Sequence, residues 1–338
     1  MARATEAKLI AFRKAGRAVD TVERKVVNTR GAISKAGFPY RAPSIPGGVE
    51  METKKGKTGI DFDTEWARGP GSKVVRRMLV NGPMKLAVRA VGDPEVTGLD
   101  RLSDLSKLDK PPALIFVANH HSHLDAALML TSIPLPWRNK MVVGGAADYF
   151  FGTRITGAAS ALALGAFPIE RSTVNRRSSD LAAELIDDGW SLLIFPEGGR
   201  SPDGWGQPFK GGAAYLADKC NVAVVPVHID GAGAIWGKGA KKLKPGRTRV
   251  TFGKPVMVQE GENNRRFGER IEQHVAELGD ESMSDFWTAR QNAAKRNTPS
   301  LTGPANTGWR RAWALTEQRA KGKAGQRRRQ KRRWPNMD

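Results

Sequence analysis

The chain has 338 residues, 40% of them hydrophobic, which suffices for a sizeable core in one large domain with long tails. Its 55 Lys and Arg against 34 Asp and Glu give a formal net charge of +21, so the expected partner is anionic: a membrane surface or nucleic acid, which attract a basic chain by the same electrostatics. A single cysteine, Cys220, excludes an intrachain disulfide framework and fits a reducing, cytoplasmic setting.

Met1 to Asp20 alternates charged and apolar residues, which predicts no secretory signal. Leu9, Phe12, Ala15, Val19, Val22 and Val26 recur at steps of three and four among basic residues, so residues 1–28 are expected to contain a basic amphipathic helix that docks on its own domain or lies in a headgroup plane. Residues 29–72, rich in Gly, Pro, Lys and Thr without periodicity, read as a linker or disordered segment. Val74 to Val91 is apolar and basic, and Gly82-Pro83 is expected to break it into two pieces.

Glu95 to Thr97 and the apolar run Ala113 to Ala118 read as strands. Met141 to Ile169 is apolar, but Asp148, Arg154 and five glycines interrupt it, which favours buried helix and strand over a membrane span. Helix over Asp180–Asp188 then alternates with strand over Ser191–Phe195, and helix over Gly212–Lys219 with strand over Val222–Ile229. Arg247 to Phe252 alternates as a further strand, and Phe267, Ile271, Val275 and Leu278 place one stripe on a closing helix. This order predicts an α/β fold, a mixed, largely parallel sheet flanked by helices, with basic N- and C-terminal extensions. The catalytic domain is expected over residues 73–280 and a basic tail over 281–338, where Arg310 to Arg333 holds eleven Lys or Arg and one acid.

The richest local signal is Asn119-His120-His121-Ser122-His123-Leu124-Asp125, at the end of an apolar strand, where α/β sheets bind ligands. Ser122 and Asp125 have capping-box spacing, which explains neither the three histidines nor their position. Adjacent His120 and His121 cannot easily hold one ion, so no metal is expected. General-base chemistry fits: His120 can take a proton from a hydroxyl while Asp125, folding back from the first helical turn, holds the imidazole tautomer.

With Asn119 before and Ser122 between, His120 and Asp125 resemble the H-x4-D motif of the glycerolipid acyltransferases that include 1-acylglycerol-3-phosphate acyltransferases. Gly165 to Arg171, Phe195 to Ser201 and Val224 to His228 follow in that family's order, so the resemblance covers about residues 94 to 260. Gly199 departs from the threonine more common there. The resemblance implies that His120 and Asp125 are catalytic, that Arg171, Glu197, Gly198, Gly199 and Arg200 bind the acceptor and its phosphate, and that Glu170 and Pro226 support them.

Each segment also has a reading of its own. Arg171, at the end of a strand, can grip a phosphate bidentately, and the Gly-rich turn brings backbone amides and Arg200 towards an anion. Ser122 lacks a hydrolase elbow and Cys220 precedes an apolar strand, so neither is expected to form an acyl-enzyme. The expected reaction is acyl transfer to a lysophosphatidic-acid-like acceptor, with acyl-CoA or acyl-carrier protein as co-substrate and no cofactor. The expected location is cytoplasmic, peripheral at the inner face of the cell membrane. A glycolipid acceptor, and a basic nucleic-acid-binding protein, are the alternatives; no zinc-finger spacing or RNA-binding signature supports the second.

Overall fold

A computed structural model describes residues 58–59, 62–169, 176–304 and 313 of the chain. The expected N-terminal helix, most of the linker, Glu170, Arg171 and most of the basic tail lie outside the described residues. Seven strands form one sheet: β1 Pro94–Thr97, β2 Ile115–Ala118, β3 Met141–Ala146, β4 Ala166–Ile169, β5 Ser191–Ile194, β6 Val224–Asp230 and β7 Thr248–Phe252, in the spatial order β1-β7-β6-β2-β5-β3-β4. All pairings are parallel except β6 with β7. The fold is therefore α/β with a mixed, largely parallel sheet flanked by helices.

The longer helices are α1 Pro70–Leu79, α2 Lys85–Gly92, α3 Asp125–Ser132, α4 Arg154–Leu164, α5 Arg176–Asp187, α6 Gly212–Lys219, α7 Ala232–Trp236, α8 Asn264–Met283 and α9 Phe286–Ala294. They cover both faces of the sheet, which is why the central strands are apolar at consecutive positions. In β2, Phe116 and Ala118 join Leu128, Met129 and Leu130 of α3 on one face. Ile115 and Val117 join Ala182 and Leu185 of α5, Ala213 and Leu216 of α6, and Phe267 and Ile271 of α8 on the other. Each of these side chains larger than alanine contributes roughly 1.5–3 kcal/mol by leaving water, and it is this two-sided burial that fixes β2 at the centre.

Three expectations are corrected. Structure begins before residue 73: a 3-10 turn spans Glu65–Arg68, Ala67 is buried, and α1 starts at Pro70, a residue whose fixed φ and missing N–H suit a first helical turn. Gly82-Pro83 does not break the chain, because a π-helical turn, Val80–Met84, takes up the proline and leads directly into α2. Folded structure also continues past 280: α8 runs to Met283, and α9 follows after Asp285, whose carboxylate accepts from the Trp287 and Thr288 amides.

Candidate active site

Because β2, β3, β4, β5 and β6 all run the same way, their carboxyl ends share one edge of the sheet. The histidine segment leaves β2 there, the Phe195–Ser201 segment leaves the adjacent β5, and Trp236 ends the helix that follows β6 on the other side. Asn119 fastens the first of these. Buried at the end of β2, its side chain donates to Ile229 O at 2.9 Å and accepts from Ile229 N at 2.7 Å, extending the β2–β6 pairing by one rung.

His120 Nδ1 lies 2.9 Å from Asp125 Oδ2. Asp125 is fully buried, and the same oxygen accepts the His121 and Ser122 amides at 2.7 and 2.8 Å. Only half of the expected capping box therefore forms. The Ser122 hydroxyl accepts from Leu124 N and donates to Trp236 O, so it ties the segment to the end of α7 instead of capping α3. With the carboxylate on Nδ1, the imidazole takes the tautomer that leaves Nε2 as a proton acceptor, and its face stacks on Phe195 with centroids 4.4 Å apart.

Glu197 is 3% exposed, and both its oxygens are occupied by backbone: Oε1 accepts His120 N–H at 2.8 Å and Oε2 accepts Gln207 N–H at 2.9 Å. Glu197 thereby ties the His120 and Gln207 backbones together. Burial pushes its carboxyl up to about 7, against the two amide hydrogen bonds, which favour the charged form. Ser201 N–H completes the junction by donating to His120 O at 2.9 Å.

Gly198 has φ +69, which suits glycine, and it packs so closely against the Lys210 stem that a Cβ there would lie 2.8 Å from Lys210 Nζ. Gly199 is not among the described glycines of positive φ. Its carbonyl and that of Arg200 accept from Gln207 Nε2 at 3.1 and 3.3 Å. Arg200 does reach the mouth of the site: Nη1 contacts His123 Nε2, and its guanidinium lies 5.5 Å from the Tyr149 ring centroid. Burial, then the charge of Arg200, hold the His123 imidazole below its ordinary range, and a neutral ring can accept the guanidinium N–H.

Pro226 lies buried in β6, just before the pairing with β7 begins at Val227, and its carbonyl accepts from Gly253 N. It shapes the sheet and does not reach the site edge. Cys220 is half-buried beside an apolar cluster, and burial raises its thiol pKa, which suits a core thiol and not a nucleophile. Burial also depresses the His228 imidazole. Glu170 and Arg171 lie outside the described residues; Ile169, at the end of β4, brings the chain to the same sheet edge.

Sequence reasoning missed Tyr149, Trp236, Gln207 and Lys210. Tyr149 Oη is 3.3 Å from His123 Nδ1, and the Trp236 and His123 ring centroids are 4.8 Å apart. Neither aromatic lies in a motif; topology alone delivers them, from the ends of β3 and β6.

Residues 94–230 match the family model described as Acyltransferase. The chloroplastic 1-acyl-sn-glycerol-3-phosphate acyltransferases of Brassica napus and Arabidopsis thaliana are 33% and 34% identical over segments that cover 47% of this chain, and 45% and 43% of the relatives. The chain thus spans less than half the length of these curated relatives. The crystal structure of the 1-acyl-sn-glycerophosphate (LPA) acyltransferase PlsC from Thermotoga maritima is 25% identical, covers 63% of this chain and 81% of that chain, and superposes with a TM-score of 0.46. The family match runs from β1 through the His120–Asp125 pair to the end of β6, so the segment of the chain that holds the candidate site is the segment similar to the Acyltransferase family.

Proposed function

We propose that this protein transfers a fatty acyl group from a thioester, acyl-CoA or acyl-carrier protein, to the hydroxyl of a lysophosphatidic-acid-like acceptor in phospholipid synthesis. The observation that carries this reading is the His120–Asp125 pair, held at 2.9 Å beside the Gly198–Arg200 turn. The choice of acceptor is supported by the relatives, which are named 1-acyl-sn-glycerol-3-phosphate acyltransferases. In this mechanism the acceptor hydroxyl gives its proton to His120 Nε2 as its oxygen bonds to the thioester carbonyl carbon. Asp125 stabilises the imidazolium so formed. The tetrahedral intermediate collapses, the carbon–sulfur bond breaks, and the departing thiolate takes the proton back from His120. Arg200 and Arg171 are the proposed phosphate contacts, since guanidinium forks suit a dianion.

We place the protein on the inner face of the cell membrane as a peripheral enzyme. Support comes from the net charge of +21 and from Val74, Val75, Met78 and Leu86, which are exposed on α1 and α2 among Lys73, Arg77, Lys85 and Arg89. Among the described residues no helix is long and apolar enough to cross a membrane.

The test is an acceptor panel run with acyl-CoA and with acyl-carrier protein, the products read by mass spectrometry. Conversion of lysophosphatidic acid to phosphatidic acid is expected, together with a rise of about tenfold or more in acceptor KM for Arg171→Ala at an unchanged donor KM. A preference for a phosphate-free acceptor such as a glycolipid would overturn the assignment, with His120 and Asp125 keeping their roles.

A further inference from the structure

After α9 the chain turns back towards the site. Leu301 O accepts the Gly206 amide at 2.9 Å, and Gly303, at φ +68, packs so tightly on Trp205 that a Cβ there would overlap the indole ring. Trp205 is 7% exposed, a buried aromatic in a segment, Asp203–Gln207, that has no helix or strand of its own. The neighbouring Gln207 amide holds Glu197 Oε2, and Glu197 Oε1 holds the His120 amide. A continuous line of short contacts thus joins a segment outside the 94–230 match to the catalytic base. Within the loop, the Ser201 hydroxyl accepts from Gly204 N, and the Asp203 carboxylate from Trp205 N.

We infer that the Leu301–Gly303 turn and Trp205 are positioning residues for acyl transfer, holding the 203–207 loop so that Gln207 fixes Glu197 and the Gly199-Arg200 backbone on the acceptor side of His120. An irregular loop keeps its geometry only where neighbouring groups pin it. Here the C-terminal segment supplies one backbone hydrogen bond, to Gly206, and one contact on the Trp205 ring face. The Gln207 side chain passes that restraint to the carbonyls of Gly199 and Arg200, so loosening the turn should disturb the acceptor before the donor. The role in catalysis rests on the acyl-transfer reading above; the anchoring of the loop does not.

The experiment compares full-length wild type with Gly303→Ala, which drives a methyl group into the Trp205 ring, and with Gly261→Ala. Gly261 has φ +74 but nothing within 4 Å of a built Cβ, so it matches the backbone strain without the contact. For Gly303→Ala, hydrogen exchange at amides 203–209 is expected to rise at least tenfold, and acceptor kcat/KM to fall on the order of tenfold, the scale expected for a sub-ångström misplacement, with donor KM unchanged. Gly261→Ala should change neither. Trp205→Ala, which removes the ring that Gly303 packs on, should raise the same exchange and lower the same acceptor kcat/KM, and serves if Gly303→Ala does not fold; unchanged exchange there would overturn the proposal equally. Unchanged exchange in Gly303→Ala, or equal losses for donor and acceptor, would overturn the positioning role. A wild type inactive on every acceptor would instead sink the functional reading, leaving the exchange result to decide the anchor.

Discussion

His120 is restrained on every side but one. Asp125 holds Nδ1, Phe195 covers a ring face, Glu197 and Ser201 hold the backbone N–H and C=O, and the side chain remains 21% exposed. Its removal should therefore take away the proposed base and little else: His120→Ala is expected to lose about 10²- to 10⁴-fold in kcat with circular dichroism and melting temperature close to wild type. Asp125→Ala differs, because it also strips a shared acceptor from two backbone amides. A loss of activity of similar size should come with about 1–3 kcal/mol of lost stability by urea unfolding. If His120→Ala kept more than half of wild-type turnover, the base would have to be sought at His121 or His123.

Glu197 adds a pH signature. Its folded pKa, pushed up to about 7, lies above the ordinary value of 4.5, so the folded state binds the extra proton between those values. Stability from this group is fully present below 4.5 and lost as pH rises through about 7, an effect on the order of 3 kcal/mol. Glu197→Gln cannot titrate, so the difference in melting temperature between wild type and variant should move against the wild type from pH 5 to pH 8. A constant difference would show that the carboxyl titrates normally.

Among the elements, two local devices aim the site. Arg76, buried in α1, donates to Ala67 O, Ala161 O and Leu162 O at 2.6, 2.9 and 2.9 Å, riveting α1 to the end of α4 just before β4. Burial and then Arg68 lower its pKa to about 10, which still leaves it charged at neutral pH. The second device is the turn after β5, where adjacent glycines have unequal tasks. Gly198→Ala should cost about 1–2 kcal/mol from its left-handed backbone, and acceptor affinity as well if Lys210 is displaced. Gly199→Thr should be tolerated within about threefold in kcat/KM, since no left-handed backbone binds that position to glycine. Equal losses in the two variants would mean that the turn needs both glycines for a reason other than φ.

At the scale of the whole molecule, charge is distributed unevenly. The tail from Arg327 to Arg333 carries six basic residues, each able to add up to about 1 kcal/mol at an anionic surface, less for a tethered segment. Deleting residues 326–338 should weaken binding to anionic liposomes and leave turnover on detergent-dispersed substrate unchanged, by sedimentation and by product assay respectively. Undiminished binding would assign the surface contact to α1 and α2, whose Val74, Met78 and Leu86 are exposed.

The sequence by itself determined what depends on local pattern. Largely apolar runs marked β2, β5 and β6, because strands covered on both faces need no polar alternation. The five-residue step from His120 to Asp125 marked an imidazole–carboxylate pair, because loop closure over so short a distance needs no knowledge of the rest of the chain. The resemblance put Glu197 at the acceptor; the structure adds that its carboxylate accepts from the amides of His120 and Gln207. A residue's type and spacing do not reveal which backbone donors a fold will bury against it. Pro83 was read as a break for a similar reason: a proline forbids a regular α-helical bond, and whether the chain then stops or widens into a π-turn depends on the packing of α1 and α2. Tyr149, Trp236 and the Leu301–Gly303 turn carry no motif. They reach the site through strand order and chain return, long-range contacts that only the closing of the sheet and the docking of α9 on α8 decide.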